Sequence, residues 1–264
     1  MAKPEMIASA ANPLVKDVRR AIARGTLTSR GWCVAETPHL LVEALRGPCK
    51  VSQVLAAESM RNKLPALDGV RVAILPDELM QKISATETSQ GVITLVEPPE
   101  WELEQVLGET ALVVVLDGLQ DPGNAGAIVR AAEAFGASGA IFLKGTVSPF
   151  NPKTLRASAG SLFRVPFLFG MDAAATRAAI EPRGVKIYAA VPRRAGEKVL
   201  KVTDADLATP TALLIGNEAH GVSNEWRGIA EGVSIPTVAV ESLNAAMAAG
   251  ILLYEARRQR SQRA

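Results

Sequence analysis

The amino-acid sequence predicts an α/β protein built as two successive blocks. The first observation is the continuous apolar run at 111–116, which is typical of a strand buried on both faces of a parallel sheet. The second is that strand-like runs alternate with helical patterns on both sides of this run. The third is size, because 264 residues suffice for one large domain or two modest ones, with 48% apolar and 21% charged residues.

The N-terminal block, expected over 1–97, has the pattern of a small α/β domain. A helix is predicted over 12–24, where apolar residues recur at helical spacing behind Asn12 and the first-turn proline Pro13. The other elements expected here are helices at 40–45 and 77–83 and strand-like segments at 32–35, 51–56, 70–75 and 92–96. Residues 98–109, with two prolines and a run of acids, form the expected linker.

The C-terminal block, expected over 110–264, has the pattern of an open, mostly parallel sheet covered by helices. Strands are predicted at 111–116, 140–143, 165–169, 185–190, 212–215 and 233–235, and helices at 125–135, 152–162, 172–180, 224–230 and 242–260. The order of the strands in the sheet stays open. Ligands of such sheets bind outside the carboxyl ends of the strands, so the loops that follow the strands are the candidate sites.

Composition disfavours several classes of protein. The longest apolar stretch near a terminus, 245–254, is about half as long as a bilayer span, and the N-terminus lacks the apolar core of a signal peptide. Cys33 and Cys49 are the only cysteines, which does not suggest a disulfide framework and fits a reducing cytoplasm. With His39 and His220 as the only histidines, a histidine-rich zinc site is disfavoured and no metal is expected.

The net charge of +2 conceals an uneven distribution. Residues 1–30 carry six basic and two acidic side chains, and the last eight residues carry four arginines and no acid. Basic ends on a mildly acidic body are typical of a protein that meets a polyanion at particular surfaces. Solubilising termini are an equally good interpretation of this feature alone.

Three loops that follow strands are rich in glycine and polar residues. In the first, Gly123 and Gly126 allow the backbone to approach a ligand, and Asn124 suits the N-cap of the next helix. Arg130 is expected near the start of that helix, close to the loop. A plain turn with a surface arginine is one alternative. A dinucleotide-binding loop is another, disfavoured because the next strand ends at Lys144 without the acid that holds a ribose hydroxyl.

The second and third loops present other side chains. Glu218 lies between Gly216 and Gly221, and its carboxylate is a candidate site residue at a strand end. The alternative interpretation is that a helix begins here and that its N-terminal dipole favours an acid. The third loop leads into a helix rich in small residues, which Ser242 or Asn244 could simply cap. Each loop taken alone is ambiguous.

Together the loops resemble the three motifs of the SpoU (TrmH-type) family of RNA ribose 2′-O-methyltransferases, within the SPOUT class. The resemblance is carried by Asn-Ala-Gly-Ala-Ile-Val-Arg at 124–130, Ile-Gly-Asn-Glu-Ala-His-Gly at 215–221 and Glu-Ser-Leu-Asn at 241–244. The N-terminal block is similar, at 9–16 and 35–45, to the RNA-binding domain that many members carry, which resembles ribosomal protein L30e. The loop at 237–240 lacks the glycine usual in the family, which bears on cofactor affinity or loop shape.

The resemblance implies S-adenosylmethionine as cofactor, bound in a deep trefoil knot of the C-terminal domain, and a homodimer formed through the helix of the third motif. It places the cofactor against Leu214, Gly216, Ile235, Ala239 and Leu243. It also implies a catalytic set made of the reactive Arg130 with Asn124, Glu218, Ser242 and Asn244.

In that family Arg130 would be the general base, although a guanidinium that keeps its proton at neutral pH suits this role poorly. The alternative is that Arg130 holds the target phosphate and the 2′-oxygen and stabilises alkoxide character as the proton leaves. RNA is the expected acceptor because the 2′-hydroxyl distinguishes it from DNA. Four basic residues of the acid-free stretch 144–164 are expected to contact RNA phosphates, namely Lys144, Lys153, Arg156 and Arg164.

Three functions therefore compete. The leading one is 2′-O-methylation of structured RNA, with ribosomal RNA favoured over transfer RNA by the separate N-terminal domain, and with no membrane partner. The second is a non-catalytic RNA-binding protein of the same fold. The third is an NAD-dependent oxidoreductase, which the missing acid disfavours. Since only 4% of residues are aromatic, specificity is expected from RNA shape and the N-terminal domain instead of base stacking.

Overall fold

The computed structural model describes residues 4–192 and 199–263, which divide into two compact units. Unit 1 comprises the described residues up to Glu100 together with Phe150–Arg164, and unit 2 comprises Trp101–Pro149 and the described residues from Val165 onward. The segment Phe150–Arg164 lies within the predicted C-terminal domain in sequence, yet in the structure it groups with unit 1. Each unit has its own hydrophobic core.

Unit 1 is a five-stranded sheet packed against helices. Its elements in chain order are β1 (Glu5–Met6), α1 (Pro13–Arg24), β2 (Cys33–Glu36), α2 (Pro38–Arg46), β3 (Lys50–Ala57), β4 (Arg71–Leu75), α3 (Asp77–Ile83) and β5 (Val92–Glu97). The strand order is β1-β4-β3-β5-β2, with β1, β3 and β4 parallel and β5 antiparallel to both its neighbours. Apolar side chains of α1 and α3 share one core cluster with the sheet, and those of α2 share another.

Unit 2 is a seven-stranded, fully parallel sheet with the order β10-β12-β9-β11-β6-β7-β8. The remaining elements of the chain are α4 (Leu103–Leu107), β6 (Leu112–Asp117), α5 (Pro122–Ala134), β7 (Gly139–Leu143), α6 (Pro152–Ala157, in the segment assigned to unit 1), β8 (Phe167–Met171), α7 (Ala173–Ile180), β9 (Lys186–Ala190), β10 (Leu200–Lys201), β11 (Thr211–Gly216), β12 (Glu231–Ser234) and α8 (Ala245–Arg263). Within the described ranges no helix is long and apolar enough to cross a membrane.

The predicted fold class, an α/β protein with a large parallel sheet, is confirmed. The helix predicted over 224–230 is wrong, because only the 3₁₀ turn Asn224–Trp226 forms before Gly228 takes a positive φ. The helix predicted over 152–162 ends at Ala157, since Ala159 and Gly160 adopt positive φ values that a right-handed helix does not tolerate. Two strands escape prediction because two residues are too few to leave a pattern. The trefoil knot stays a prediction.

Buried charges fix the segment Phe150–Arg164 within unit 1. Glu36 ends β2, is 3% exposed and accepts a hydrogen bond from Arg156. Arg164 pairs with Glu43 of α2, its Nη1 lying 2.6 Å from Oε2. A buried carboxylate is tolerated only with such partners, so these two ion pairs specify where the segment packs.

Arg260 anchors the C-terminal half of α8 within unit 2. Its guanidinium donates to four backbone carbonyl oxygens at 2.6 to 3.1 Å, those of Thr110, Ala111, Leu207 and Thr209. Arg258 and Arg263 pair with Glu255 and Asp206. Three of the four arginines of the basic C-terminus therefore already have partners inside the unit, and much of its charge is not available to a polyanion.

Replacing Arg260 with glutamine is expected to destabilise the chain, because four carbonyl groups lose their charged donor at once. We expect the free energy of unfolding to fall by about 2 kcal/mol, measured by urea denaturation followed by circular dichroism. Arg257→Gln is the matched control, since it removes the same charge from an exposed arginine of the same helix. Equal stability of the two variants would contradict the anchoring role of Arg260.

Candidate active site

The strands of unit 2 bring the three candidate loops to one edge of the sheet. β6 and β11 are neighbours, and their register pairs Asp117 with Gly216 at the carboxyl ends. β12 lies two strands from β11, across β9, and runs parallel to both. Because the carboxyl ends of parallel strands meet at the same edge, the loops that follow β6, β11 and β12 all start there.

The side-chain amide of Asn124 joins these three loops. Its Nδ2 donates to Oε1 of Glu218 at 3.0 Å, and its Oδ1 accepts from Nδ2 of Asn244 at 3.0 Å. Asn124 is the third residue of α5, and its backbone N–H donates to the carboxylate of Asp121, which caps the helix. The prediction that Asn124 itself caps this helix is therefore wrong, and its side chain is left to bridge the other two loops.

Asn244 serves both the last helix and the cluster. Its Oδ1 accepts from the backbone N–H groups of Ala246 and Met247 at 2.9 and 3.2 Å, which caps α8. Its Nδ2 is left free to donate to Asn124. The capping alternative for Asn244 is confirmed, and the same amide also reaches the loop after β6.

Gly216 allows the loop after β11 to fold back tightly. A Cβ on Gly216 would lie 2.3 Å from the carbonyl carbon of Gly221, so any side chain would displace the loop. Asn217 and Gly221 exchange two backbone hydrogen bonds, and Nδ2 of Asn217 donates to the carbonyl of Gly118 at 2.8 Å. This turn holds Glu218 in position.

The sequence pattern does not single out Asp117, whose carboxylate holds the far end of the same loop. Asp117 ends β6, is 8% exposed and accepts a hydrogen bond from the backbone N–H of Ser223 at 2.7 Å. An acid at the end of an otherwise apolar strand was the available signal, because a buried carboxylate needs a donor. Asp117 is a positioning residue for the loop that carries Glu218.

Arg130 lies farther along α5 than its sequence context suggests. It is the ninth of 13 helical residues, and its Cα lies about 9 Å along the helix axis from that of Asn124, at about 1.5 Å per residue. The expectation that Arg130 lies near the helix start is wrong, because α5 begins at Pro122. Arg130 is exposed and forms no hydrogen bond or ion pair with the part of the chain that the structure describes. Its guanidinium is therefore available to a ligand.

Two sequence models of known protein families match this chain. The sequence model of the SpoU rRNA Methylase family matches residues 111–254, which include all three loops. The chain belongs to the SpoU rRNA methylase family. A second sequence model, that of the MRM3-like substrate binding domain, matches residues 12–94, which lie within unit 1.

This SpoU-family chain is also similar to individual methyltransferases in sequence and in structure. It is 38% identical over 203 residues to the 23S rRNA (uridine(2479)-2′-O)-methyltransferase of Streptomyces viridochromogenes, over 72% of this chain and 68% of the relative. It is 29% identical over 255 residues to the 23S rRNA (guanosine(2553)-2′-O)-methyltransferase RlmP of Bacillus subtilis strain 168, over 96% and 99%. The crystal structure of an AdoMet-bound rRNA methyltransferase from Sinorhizobium meliloti has a TM-score of 0.82 and 30% identity, over 96% of this chain and 97% of that one.

The residues expected to hold the cofactor of this SpoU-family chain occupy different environments. Gly216 ends β11 and Ile235 directly follows β12, both at the carboxyl edge of the sheet. The side chain of Leu214 lies in the hydrophobic core and is not available to a ligand. Ala239 is exposed and Leu243 is half-buried in the loop before α8.

The backbone of residues 235–243 lies outside the hydrogen bonding of the sheet and of α8. Its N–H and C=O groups form no main-chain hydrogen bond with any described residue, although Oγ1 of Thr237 donates to the carbonyl of Val240 at 2.6 Å. Val238 is fully exposed, and Ser242 is exposed and has no hydrogen bond within the described ranges. Free amides and carbonyls beside exposed apolar side chains suit a ligand with a polar edge and apolar faces, such as a purine nucleoside.

The four residues expected to contact RNA phosphates are divided between the two units. Lys144, in unit 2, pairs with Asp172 at 3.3 Å. In unit 1, Arg156 and Arg164 form the ion pairs described above, and Lys153 is exposed. At least three of the four have an intramolecular counter-charge, which a phosphate would have to displace, and phosphate binding by this stretch stays a prediction.

Among the described residues, one thiol is buried and the other half-buried, and the metal-ligating residue types do not cluster. Burial raises the pKa of the Cys33 thiol to about 12 and that of the Cys49 thiol to about 11, so neither is a thiolate at neutral pH. In the described part of the chain, no three His, Cys, Asp or Glu side chains come together as metal ligands. The chemistry available at the site is that of amides, the Glu218 carboxylate and the Arg130 guanidinium.

Asn124→Asp is expected to loosen the cluster in a pH-dependent way. The new carboxylate cannot donate to Glu218 and lies opposite it across the present 3.0 Å contact, so repulsion raises the pKa of the carboxyl pair in the folded state. A raised folded-state pKa stabilises the fold in acid, and this stabilisation is lost as the pH rises through the raised value. The melting temperature should match that of the wild type near about pH 4 and fall below it near about pH 7.

Asn62→Asp is the matched control for this experiment, measured by differential scanning calorimetry. Asn62 is exposed in the 3₁₀ helix Glu58–Lys63 and has no hydrogen-bond partner among the described side chains. Its variant should follow the wild type at every pH. If the Asn124 variant followed the wild type equally closely, the amide would not join the loops.

Proposed function

We propose that this protein transfers the methyl group of S-adenosylmethionine to a ribose 2′-hydroxyl of ribosomal RNA. The observation that carries this proposal is the cluster in which Asn124 hydrogen-bonds to Glu218 and Asn244 and so joins the three SpoU loops. Arg130 lies on the same helix with no partner among the described residues. In support, both relatives named above are 23S rRNA 2′-O-methyltransferases, and the Sinorhizobium meliloti enzyme is bound to AdoMet.

The residues at the edge of the sheet fit the cofactor. S-adenosylmethionine supplies an electrophilic methyl group on a sulfonium sulfur. Residues 235–243 offer unpaired N–H and C=O groups for the edge of an adenine, and Val238 adds exposed apolar surface. Gly216 leaves the end of β11 without a side chain. We assign the binding to the main chain of Gly216, Ile235, Ala239 and Leu243. The contact expected of Leu214 has no observation in its support, because its side chain lies in the core and its main chain lies in β11 between β6 and β9.

Arg130 would act on the nucleotide that accepts the methyl group. Its planar, permanently charged guanidinium can bind a phosphate and lie against the 2′-oxygen, where it stabilises negative charge as the hydroxyl proton leaves. Asn124 and Glu218 form no hydrogen bond with Arg130, so they would set the loop positions instead of the arginine. Ser242, exposed on the third loop, would orient the ribose or the cofactor.

The match to a substrate-binding domain supports unit 1 as the RNA-binding part of the enzyme. We propose residues 1–97 as this domain, 98–109 as a linker and 110–264 as the methyltransferase domain, in an enzyme that meets ribosomal RNA in the cytoplasm. One relative acts on a uridine and the other on a guanosine, by name. Base identity is therefore not a property of the shared fold, and it would be set by RNA contacts outside the cluster.

We further propose a homodimer formed through α8. Met247 and Tyr254, seven residues apart on this helix, are 57% and 56% exposed, and Ile251 lies between them half-buried. Large apolar side chains exposed along one helix face are typical of a surface that a partner helix covers. We also propose that the C-terminal domain forms the trefoil knot of the SPOUT class.

Arg130→Ala is expected to lower the rate of methyl transfer to unmodified 23S rRNA by about 10²–10³-fold, because the charge that stabilises the 2′-oxygen is lost. Affinity for S-adenosylmethionine, measured by calorimetry, should not change. Tritium transfer from labelled cofactor measures the rate, and mapping of 2′-O-methyl groups on the RNA identifies the acceptor atom.

Arg177→Ala is the control for this prediction, since it removes an exposed arginine of α7 whose one ion pair among the described residues is with Glu181, directly after the helix. It should keep the wild-type rate. Near-wild-type transfer by the Arg130 variant would reject the role of Arg130. A wild-type chain that binds the cofactor but methylates no position of 23S rRNA would reject the proposed substrate.

A further inference from the structure

Helix α1 of unit 1 exposes four basic side chains that form no ion pair within the described part of the chain. Lys16, Arg20 and Arg24 recur every four residues, and Arg19 lies beside them. All four are exposed, and none forms a hydrogen bond or ion pair through its side chain with the described residues. We call these four residues the α1 basic face.

The α1 basic face is carried by a helix that is fixed at both ends. Oδ1 of Asn12 accepts the backbone N–H of Leu14 at 2.9 Å, and Gly25 ends the helix in the left-handed conformation at a φ of 63°. Val15 and Val18 bury the opposite side in the core of unit 1. At a spacing of four residues the basic groups start about 6 Å apart along the axis, comparable with the separation of successive phosphates on one RNA strand.

The single acid of α1 forms no ion pair with this face among the described residues and offsets one of its four charges at most. Asp17 precedes Arg20 by three residues, but its carboxylate accepts hydrogen bonds from the backbone N–H and the hydroxyl of Ser29 at 2.7 to 3.1 Å. These bonds also hold the turn that carries Arg30, whose guanidinium lies 5.2 Å from the ring centroid of Trp32. The helix therefore carries four cations against one carboxylate, and that carboxylate is held by Ser29 and not by an ion pair with the basic face.

The side chains of the α1 basic face, unpaired within the described residues, differ from the basic side chains of the stretch 144–164, most of which are paired. Lys144, Arg156 and Arg164 each have a carboxylate partner, which a phosphate would have to displace. An unpaired cation gives up no existing partner when it binds a phosphate, so its full charge contributes to the release of counterions from RNA. We propose that the α1 basic face docks ribosomal RNA on unit 1 through its phosphates, an inference that rests on the proposed function.

The test compares two triple variants that carry the same change in charge. Lys16→Glu/Arg20→Glu/Arg24→Glu reverses the α1 basic face. Its control, Arg61→Glu/Lys63→Glu/Arg71→Glu, reverses three exposed cations of unit 1 that lie outside this helix. Binding of each protein to an unmodified 23S rRNA transcript is measured by filter binding over a range of salt concentrations, and methyl transfer is measured in parallel.

The α1 variant is expected to lose affinity for the transcript on the order of 100-fold, and the slope of log affinity against log salt should fall by about 3. Its KM for RNA should rise while kcat at saturating RNA is kept, because docking is weakened and the cluster in unit 2 is untouched. The control should bind like the wild type. Lys16→Gln/Arg20→Gln/Arg24→Gln should show a smaller loss in the same direction, and melting temperature and cofactor affinity should stay at wild-type values in every variant.

Equal losses in the α1 variant and its control would overturn the proposal, because only the overall charge would then matter. An α1 variant that keeps affinity for the transcript but no longer binds phosphatidylglycerol vesicles would assign the face to a membrane and would also overturn it. Normal RNA binding by the α1 variant together with normal methyl transfer rejects the docking surface alone. Loss of RNA binding in the variant, with a wild-type chain that methylates no RNA, rejects the proposed function and leaves the docking surface standing.

Discussion

The side-chain amide of Asn124 is the contact on which the candidate site depends. It donates to Glu218 and accepts from Asn244, residues 94 and 120 positions away in sequence. An amide can do this because it carries donors and an acceptor on one planar group, which neither a carboxylate nor an ammonium does. The loops of three strands therefore share one point, and the capping of α5 by Asp121 frees the Asn124 side chain for it.

The carboxyl end of β6 holds the loop that brings Glu218 to Asn124. Asp117 holds Ser223, and the carbonyl of Gly118 holds Asn217, so both ends of the loop that carries Glu218 are tied to the same strand end. The close approach at Gly216 lets this loop return over its own strand. Because strands are the most rigid part of such a sheet, a site built on their ends is held more precisely than a site within a free loop.

The distribution of charge has a meaning that the net value of +2 hides. Many of the basic groups are structural: Arg260 binds backbone carbonyls, and Arg156 and Arg164 balance carboxylates of the same unit. Arg130 and the α1 basic face have no such partners within the described residues. Cations without an intramolecular partner can bind a polyanion without breaking an existing contact. The partners and exposure of the basic side chains therefore indicate polyanion binding better than their number does.

The sequence by itself determined the fold class and the large parallel sheet, and its resemblance to the SpoU family indicated the candidate residues Asn124, Arg130, Glu218 and Asn244. Apolar runs and the spacing of glycines and polar residues are local patterns, and local patterns are readable from one chain. Only the tertiary structure decided that Asp121 caps α5, that Asp117 supports the site and which arginines already have partners. Each of these depends on hydrogen bonds or on the burial of a charge, and both are set by which distant segments the packed chain brings together.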